Sequence, residues 1–149
     1  MAIEDEIKQV KFRNEYHKLL INIVYTGHWL NEMTMEMLRP FDITTQQYNV
    51  LRILRGQYPK PVTIKLVRER MIDKMSDASR LIERLRLKGY VQREICHDNR
   101  RSVDVVITKT GLELLTRLDD KIAGLEEQLH TLPVDKVTEI NTFLDRIRE

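Results

Sequence analysis

SDASRLIERLRLKGYVQREICHDNRRSVDVVITKTG, residues 76 to 111, changes its hydrophobic period in the middle. Before Gly89, the apolar residues Leu81, Ile82, Leu85 and Leu87 give an inward helical face. After it, Val103, Val105 and Ile107 alternate with more polar neighbours, and Tyr90 to Ile95 can pair with them across HDNRR. Ser76 is a good N-cap and Gly89 a good C′ residue. The stretch therefore predicts a helix followed by a hairpin whose tip carries two adjacent arginines, Arg100 and Arg101.

Working upstream, Thr44 and Gln47 fit a capping box at the head of a short helix carrying Tyr48, Val50, Leu51, Ile53 and Leu54. Pro59 and Pro61 bracket an extended turn, and Ile64, Leu66, Val67 and Met71 suggest another short helix. From Ile3 to Leu38 the apolar residues mostly fall three or four apart with no proline before Pro40, which predicts one long helix. At 1.5 Å per residue it would run about 50 Å, more than a small domain covers by itself. Downstream, Leu115, Leu118, Ile122, Leu125, Leu129 and Leu132 form a narrow stripe, and Val137, Ile140, Leu144 and Ile147 form another after Pro133. The order helix, helix, helix, hairpin in the middle is that of a winged helix-turn-helix, with residues 76 to 88 as the reader helix and the hairpin as the wing. Arginines at a wing tip can enter a DNA minor groove, where a narrow groove concentrates negative potential.

Net charge alone does not call for nucleic acid, since 25 Lys and Arg face 23 Asp and Glu. The distribution does. Residues 60 to 101 hold 12 basic and 6 acidic side chains, a charge of +6, while the rest of the chain holds 13 and 17, a charge of −4. Ser76, Asp77, Ser79 and Arg80 stand at the front of the reader helix, the end that normally meets base edges and phosphates. Arg84, Arg86 and Lys88 can equally line the back of that helix as ordinary solvated surface. A chain of 149 residues is about one domain's worth.

The middle of the chain resembles the MarR family of transcriptional regulators, on ITTQQYNVLRIL at 43 to 54, SDASRLIERLRLKGYVQRE at 76 to 94 and NRRSVDVVITKTG at 99 to 111. The last two carry most of the likeness: a reader helix ending in Leu-x-x-Lys-Gly and a wing ending in an aliphatic-Thr-x-x-Gly step. The resemblance implies a single mainly α domain, 1–149, with a small β-hairpin wing. Residues 41–109 would be the winged-helix DNA-binding lobe, and 1–40 and 110–149 would be helices that interleave in a homodimer. It also implies a pseudo-palindromic double-stranded operator, repression by excluding polymerase, and relief by a small aromatic or phenolic ligand that alters the spacing of two reader helices, about 34 Å apart. The DNA-binding residues expected are Lys74, Ser76, Asp77, Ser79, Arg80, Arg84, Asn99, Arg100 and Arg101. Lys74 would meet backbone and Arg101 the minor groove. The family's wing pattern is Asp-x-Arg; counting back from Thr108, the arginine falls on Arg101 and Asn99 fills the aspartate position, Asp98 lying one residue early.

Tyr25, His28 and Trp29 cluster at the level where the family has a small-molecule cavity. They read either as a sandwich for a flat phenolic ligand or, the commoner fate of such residues, as core and interface packing. Cys96, His97 and Asp98 are adjacent on a strand and point to alternate faces, so no metal site is expected. Cys96 is the only cysteine, and an internal disulfide is impossible. GxSxG, HExxH, CxxC and a Gly-rich phosphate loop are all missing from the sequence, so neither an enzyme nor a cofactor is expected. No apolar run is long enough for a membrane span, and the charged start MAIEDEIKQV does not read as a signal peptide, which predicts a cytoplasmic protein. A second reading, from another class, is a helical dimeric interaction module whose basic face binds an acidic protein.

Overall fold

The computed structural model describes residues 1–95 and 103–149. Among the described residues, seven α-helices run in the order α1 (Ile3–Glu6), α2 (Glu15–Leu38), α3 (Thr45–Gln57), α4 (Ile64–Arg70), α5 (Ala78–Leu87), α6 (Lys109–Glu127) and α7 (Val134–Arg146). Strands β1 (Val62–Thr63), β2 (Val91–Ile95) and β3 (Val103–Ile107) form one antiparallel sheet in the order β1-β3-β2. The fold is a mainly α winged helix, as the period change at Gly89 predicts. The two-residue β1 adds to it, pairing Val62 with Val105 and Thr63 with Asp104.

The expected capping box closes α3: Thr44 Oγ1 accepts from the Gln47 N–H and Gln47 Oε1 accepts from the Thr44 N–H, at 3.1 and 3.0 Å. Gly89 ends α5 at φ +81°, with the Tyr90 N–H donating to Leu85 O and the Gly89 N–H to Arg86 O. This double bond is the Schellman stop, which needs a left-handed residue at that position.

Three expectations are corrected. The long helix from Ile3 to Leu38 is two helices, because Lys8 takes a left-handed φ of +53° and the Gln9 N–H donates back to Glu4 O at 3.1 Å, stopping α1 after four residues. Asn14 then caps α2 afresh, its Oδ1 accepting from the His17 N–H at 2.9 Å. The N-cap of α5 is Asp77, one residue later than Ser76, with its carboxylate accepting from the Arg80 N–H at 3.1 Å. Leu87 does not face inward: it is 72% exposed, while Ile82 and Leu85 are buried.

The core lies between α3, α4, α5, the sheet and the first half of α6, around Leu51, Leu54, Val67, Ile82, Leu85, Val105, Leu115 and Leu118. Gly111, in the first turn of α6, has no room for a side chain; a Cβ there would lie 2.5 Å from the Tyr90 carbonyl and 2.7 Å from Ile107. Thr108 joins the same three segments. Its N–H donates to Tyr90 O, its hydroxyl donates to Gly89 O at 2.7 Å, and its own Oγ1 accepts from the Gly111 N–H at 3.1 Å. The Thr-x-x-Gly step thus fastens the end of the sheet to the end of α5 and to the start of α6.

Candidate nucleic-acid interface

The local sequence builds α5 as a strongly two-faced helix. Ala78, Ile82 and Leu85 are buried, while Ser79, Arg80, Arg84, Arg86 and Leu87 are exposed. Its first turn is held by the Asp77 cap, and Asp77 Oδ2 also lies 3.4 Å from Arg80 Nε. Asp77 is therefore a structural cap first, and its remaining acceptor capacity is shared with Arg80. Ser76 Oγ is buried without a hydrogen-bond partner beside it, and Ser79 stands exposed on the next residue but one of the outer face.

The cations of the basic segment fall into two sets. Glu83 holds Arg86 through paired bonds of 2.8 and 3.2 Å and also pairs with Arg93 of β2 at 2.9 Å. These contacts, the Arg86 hydrogen bond above all, hold the Glu83 carboxyl below the usual carboxylate range and push the Arg86 guanidinium up. Lys88 reaches Asp42, at 2.9 Å from its carboxylate and also on its carbonyl oxygen. Arg86, Arg93 and Lys88 are thus committed within the protein. Arg84 and Lys74 form no ion pair among the described residues. Lys74 instead donates to Glu69 O near the end of α4, at 2.6 Å.

Arg84 and Arg80 line a small hollow of about 220 Å³ at the front of α5 together with Ser76 and Asp77, and Gln46 of α3 borders it. The structure therefore brings Ser76, Asp77, Arg80 and Arg84 together on one surface, with Lys74 and Ser79 exposed alongside. β2 leads out of the core and β3 returns, with Ile95 opposite Val103. Asn99, Arg100 and Arg101, the wing residues expected from sequence, lie outside the described residues, as do Cys96, His97 and Asp98.

The three residues expected to line a ligand site are not brought together. His28 borders an open cavity of about 850 Å³ between α2, α3 and the link after α4, with Asn31, Tyr48, Asn49, Arg52 and Ile72 among its lining. Tyr25 and Trp29 line a different hollow against Met1, Ile3 and Glu6. The Tyr25 hydroxyl donates to Glu6 at 2.7 Å, which raises the phenol's pKa. The helical period carries the signal: at about 100° per residue, neighbours 28 and 29 face different ways. Sequence reading also missed Asn49, whose Oδ1 accepts from the Ile72 N–H at 2.9 Å and ties the link before α5 to α3. No spacing pattern announces a contact across so many residues.

A model of the MarR family matches residues 43–103. None of the functionally curated proteins matches the chain. Among solved structures, the MarR transcription factor of Planctomyces limnophilus is 29% identical with a TM-score of 0.68, and the match covers 91% of this chain and 98% of that one. AbsC, a MarR family transcriptional regulator from Streptomyces coelicolor, shares the fold at 21% identity and a TM-score of 0.77, covering 93% and 96%. The S. aureus MepR–DNA complex shares it at 19% identity and a TM-score of 0.74, covering 92% and 97%.

Proposed function

We propose that the chain, which matches the MarR family over residues 43–103, is a DNA-binding transcriptional regulator that works as a homodimer, binds a pseudo-palindromic operator and represses from it. Residues 41–109 serve as the DNA-binding lobe in this reading, and 1–40 and 110–149 as dimerisation helices. The observation that carries it is the front of α5, where Arg84 and Arg80 stand exposed while the neighbouring cations are neutralised internally by Glu83 and Asp42. Ser76, Asp77, Ser79 and Arg80 face the major groove or flanking phosphates, Lys74 and Arg84 meet backbone, and Arg101, with Arg100 and Asn99, serves the wing.

Dimerisation has its own support. α2 buries only Leu38 and α7 buries nothing, although α7 carries Ile140 and Phe143 and the turn before it Leu132. A solitary helix of this length is marginal in water, so α7 needs a partner for its apolar face. Relief comes from an effector in the cavity bordered by His28. Arg52, which stacks over the Tyr48 ring at 5.9 Å, is placed to hold a carboxylate there, and a small aromatic or phenolic acid suits the apolar walls. Such a ligand presses on Ile72 and Asp73, the residues that lead into α5. No described helix is long and apolar enough to cross a membrane, and the site of action is the cytoplasm.

Fluorescence anisotropy with duplexes from the gene's own upstream region tests the reading. Wild type should select one duplex over others by orders of magnitude, and Arg84→Ala and Arg101→Ala should each weaken it and lower its salt dependence. Binding that ignores sequence, or that neither substitution changes, would contradict it; an acidic protein partner that stays bound against excess duplex would favour the interaction-module reading.

A further inference from the structure

Met75 is 93% exposed, in the short link that joins α4 to α5. A loose link would let an apolar side chain turn away from water. This one is held at its backbone. Asp73 Oδ1 accepts from the Met75 N–H at 2.9 Å, Asp73 O accepts from the Ser76 N–H at 3.2 Å, and Asn49 of α3 holds the Ile72 N–H. Met71 at one end of the link and Ala78 at the other are both buried. The side chain of Met75 is therefore presented outward at the entrance to α5, between Lys74 and Ser76, with Arg80 and Arg84 on the turns that follow.

An apolar group fixed at the entrance to a helix whose outer face carries Arg80 and Arg84 has few suitable partners, and the major groove offers one. Each thymine places a C5-methyl group there, the feature that apolar side chains read by contact. A thioether is polarizable and its chain unbranched, so it can follow a methyl without a rigid fit. The two other exposed apolar residues nearby are placed otherwise: Ile72 lines the cavity that His28 borders, and Leu87 lies at the far end of α5 beside Lys88.

We propose that Met75 is a base-reading residue that takes the C5-methyl of one pyrimidine in each half-site, a thymine in unmodified DNA. The assignment rests on α5 being the reader helix. It gives the protein a specificity contact that is independent of hydrogen bonding and insensitive to salt.

The test uses the full-length chain and an operator selected from random duplexes. Each dT is replaced by dU and each dC by 5-methyl-dC, one position per half-site, and affinity is measured for wild type, Met75→Ala and Met75→Leu. Removing the contacted methyl should weaken wild type about fourfold per half-site, the worth of one buried methyl-sized group. Met75→Leu should keep most of that sensitivity, and Met75→Ala should bind dT and dU alike while melting at the wild-type temperature. A gain at 5-methyl-dC that Met75→Ala abolishes, with no loss at any dU, would assign the methyl to methylcytosine and overturn the thymine assignment. A flat methyl profile, or a methyl effect that survives in Met75→Ala, would overturn the role of Met75. Failure to select any operator would overturn the reader-helix premise itself, which a selected operator with a flat profile would leave standing.

Discussion

Thr108 and Gly111 do at single-residue scale what the winged fold requires, which is to fix the sheet against the helix that reads. The Gly111 Cα lies so close to the Tyr90 carbonyl that a methyl group would overlap it, and a backbone carbonyl cannot swing aside as a side chain can. Gly111→Ala should therefore lower the melting temperature by roughly 3–10 °C at fixed protein concentration, the consequence of about 1–3 kcal/mol of overpacking. An unchanged melting temperature would show that α6 can shift without cost. The step was legible in sequence as an aliphatic-Thr-x-x-Gly pattern, but its reason was not, because Tyr90 is distant along the chain. Lys8 is the opposite case. A lysine carries no propensity for a left-handed conformation, so the break after α1 had no local herald, whereas Asn14 was a cap of ordinary type that the long apolar periodicity overrode.

At the scale of the element, α5 is defined by its caps and by one acid. Ser76 and Asp77 are both good N-caps, and sequence has no means of choosing between adjacent candidates; the structure chooses Asp77. Asp77→Ala should cost about 1 kcal/mol in a denaturant titration, and Ser76→Ala much less. Equal losses would contradict Asp77 as the cap of α5, and a larger loss at Ser76 would move the cap there. Glu83 joins α5 to β2 by holding Arg86 and Arg93, and its carboxyl is depressed by them. A depressed carboxyl stabilises the fold above its unfolded value of 4.5 and loses that contribution as pH falls through its lower folded value. Acid titrations of wild type and Glu83→Gln should accordingly differ at neutral pH, with wild type the more stable, and converge below pH 4.5. A difference that persists in acid would mean that Glu83 acts by packing. Which cations were spoken for could not be read from sequence, since Asp42 meets Lys88 and Arg93 meets Glu83 only once the chain is folded.

For the whole molecule, the question is where the apolar faces of α2 and α7 go. Leu20, Val24, Ile140 and Phe143 are all exposed in the single chain, and the helical stripes, which take in all of these but Phe143, could not say whether they pack within one copy or between two. Interleaving of two copies would bury them and set the distance between the two α5 helices. Ile140→Glu should shift sedimentation from twice the 17.8 kDa chain mass toward one and abolish selective DNA binding with it, since each half-site alone holds too few contacts. Retained dimerisation would place the interface elsewhere. The most direct single measurement is sedimentation of the protein with its selected operator at stoichiometric concentrations. The account predicts one complex containing the duplex and two chains, formed without a one-chain intermediate. A complex with a single chain per operator, or one whose stoichiometry grows with duplex length regardless of sequence, would contradict it.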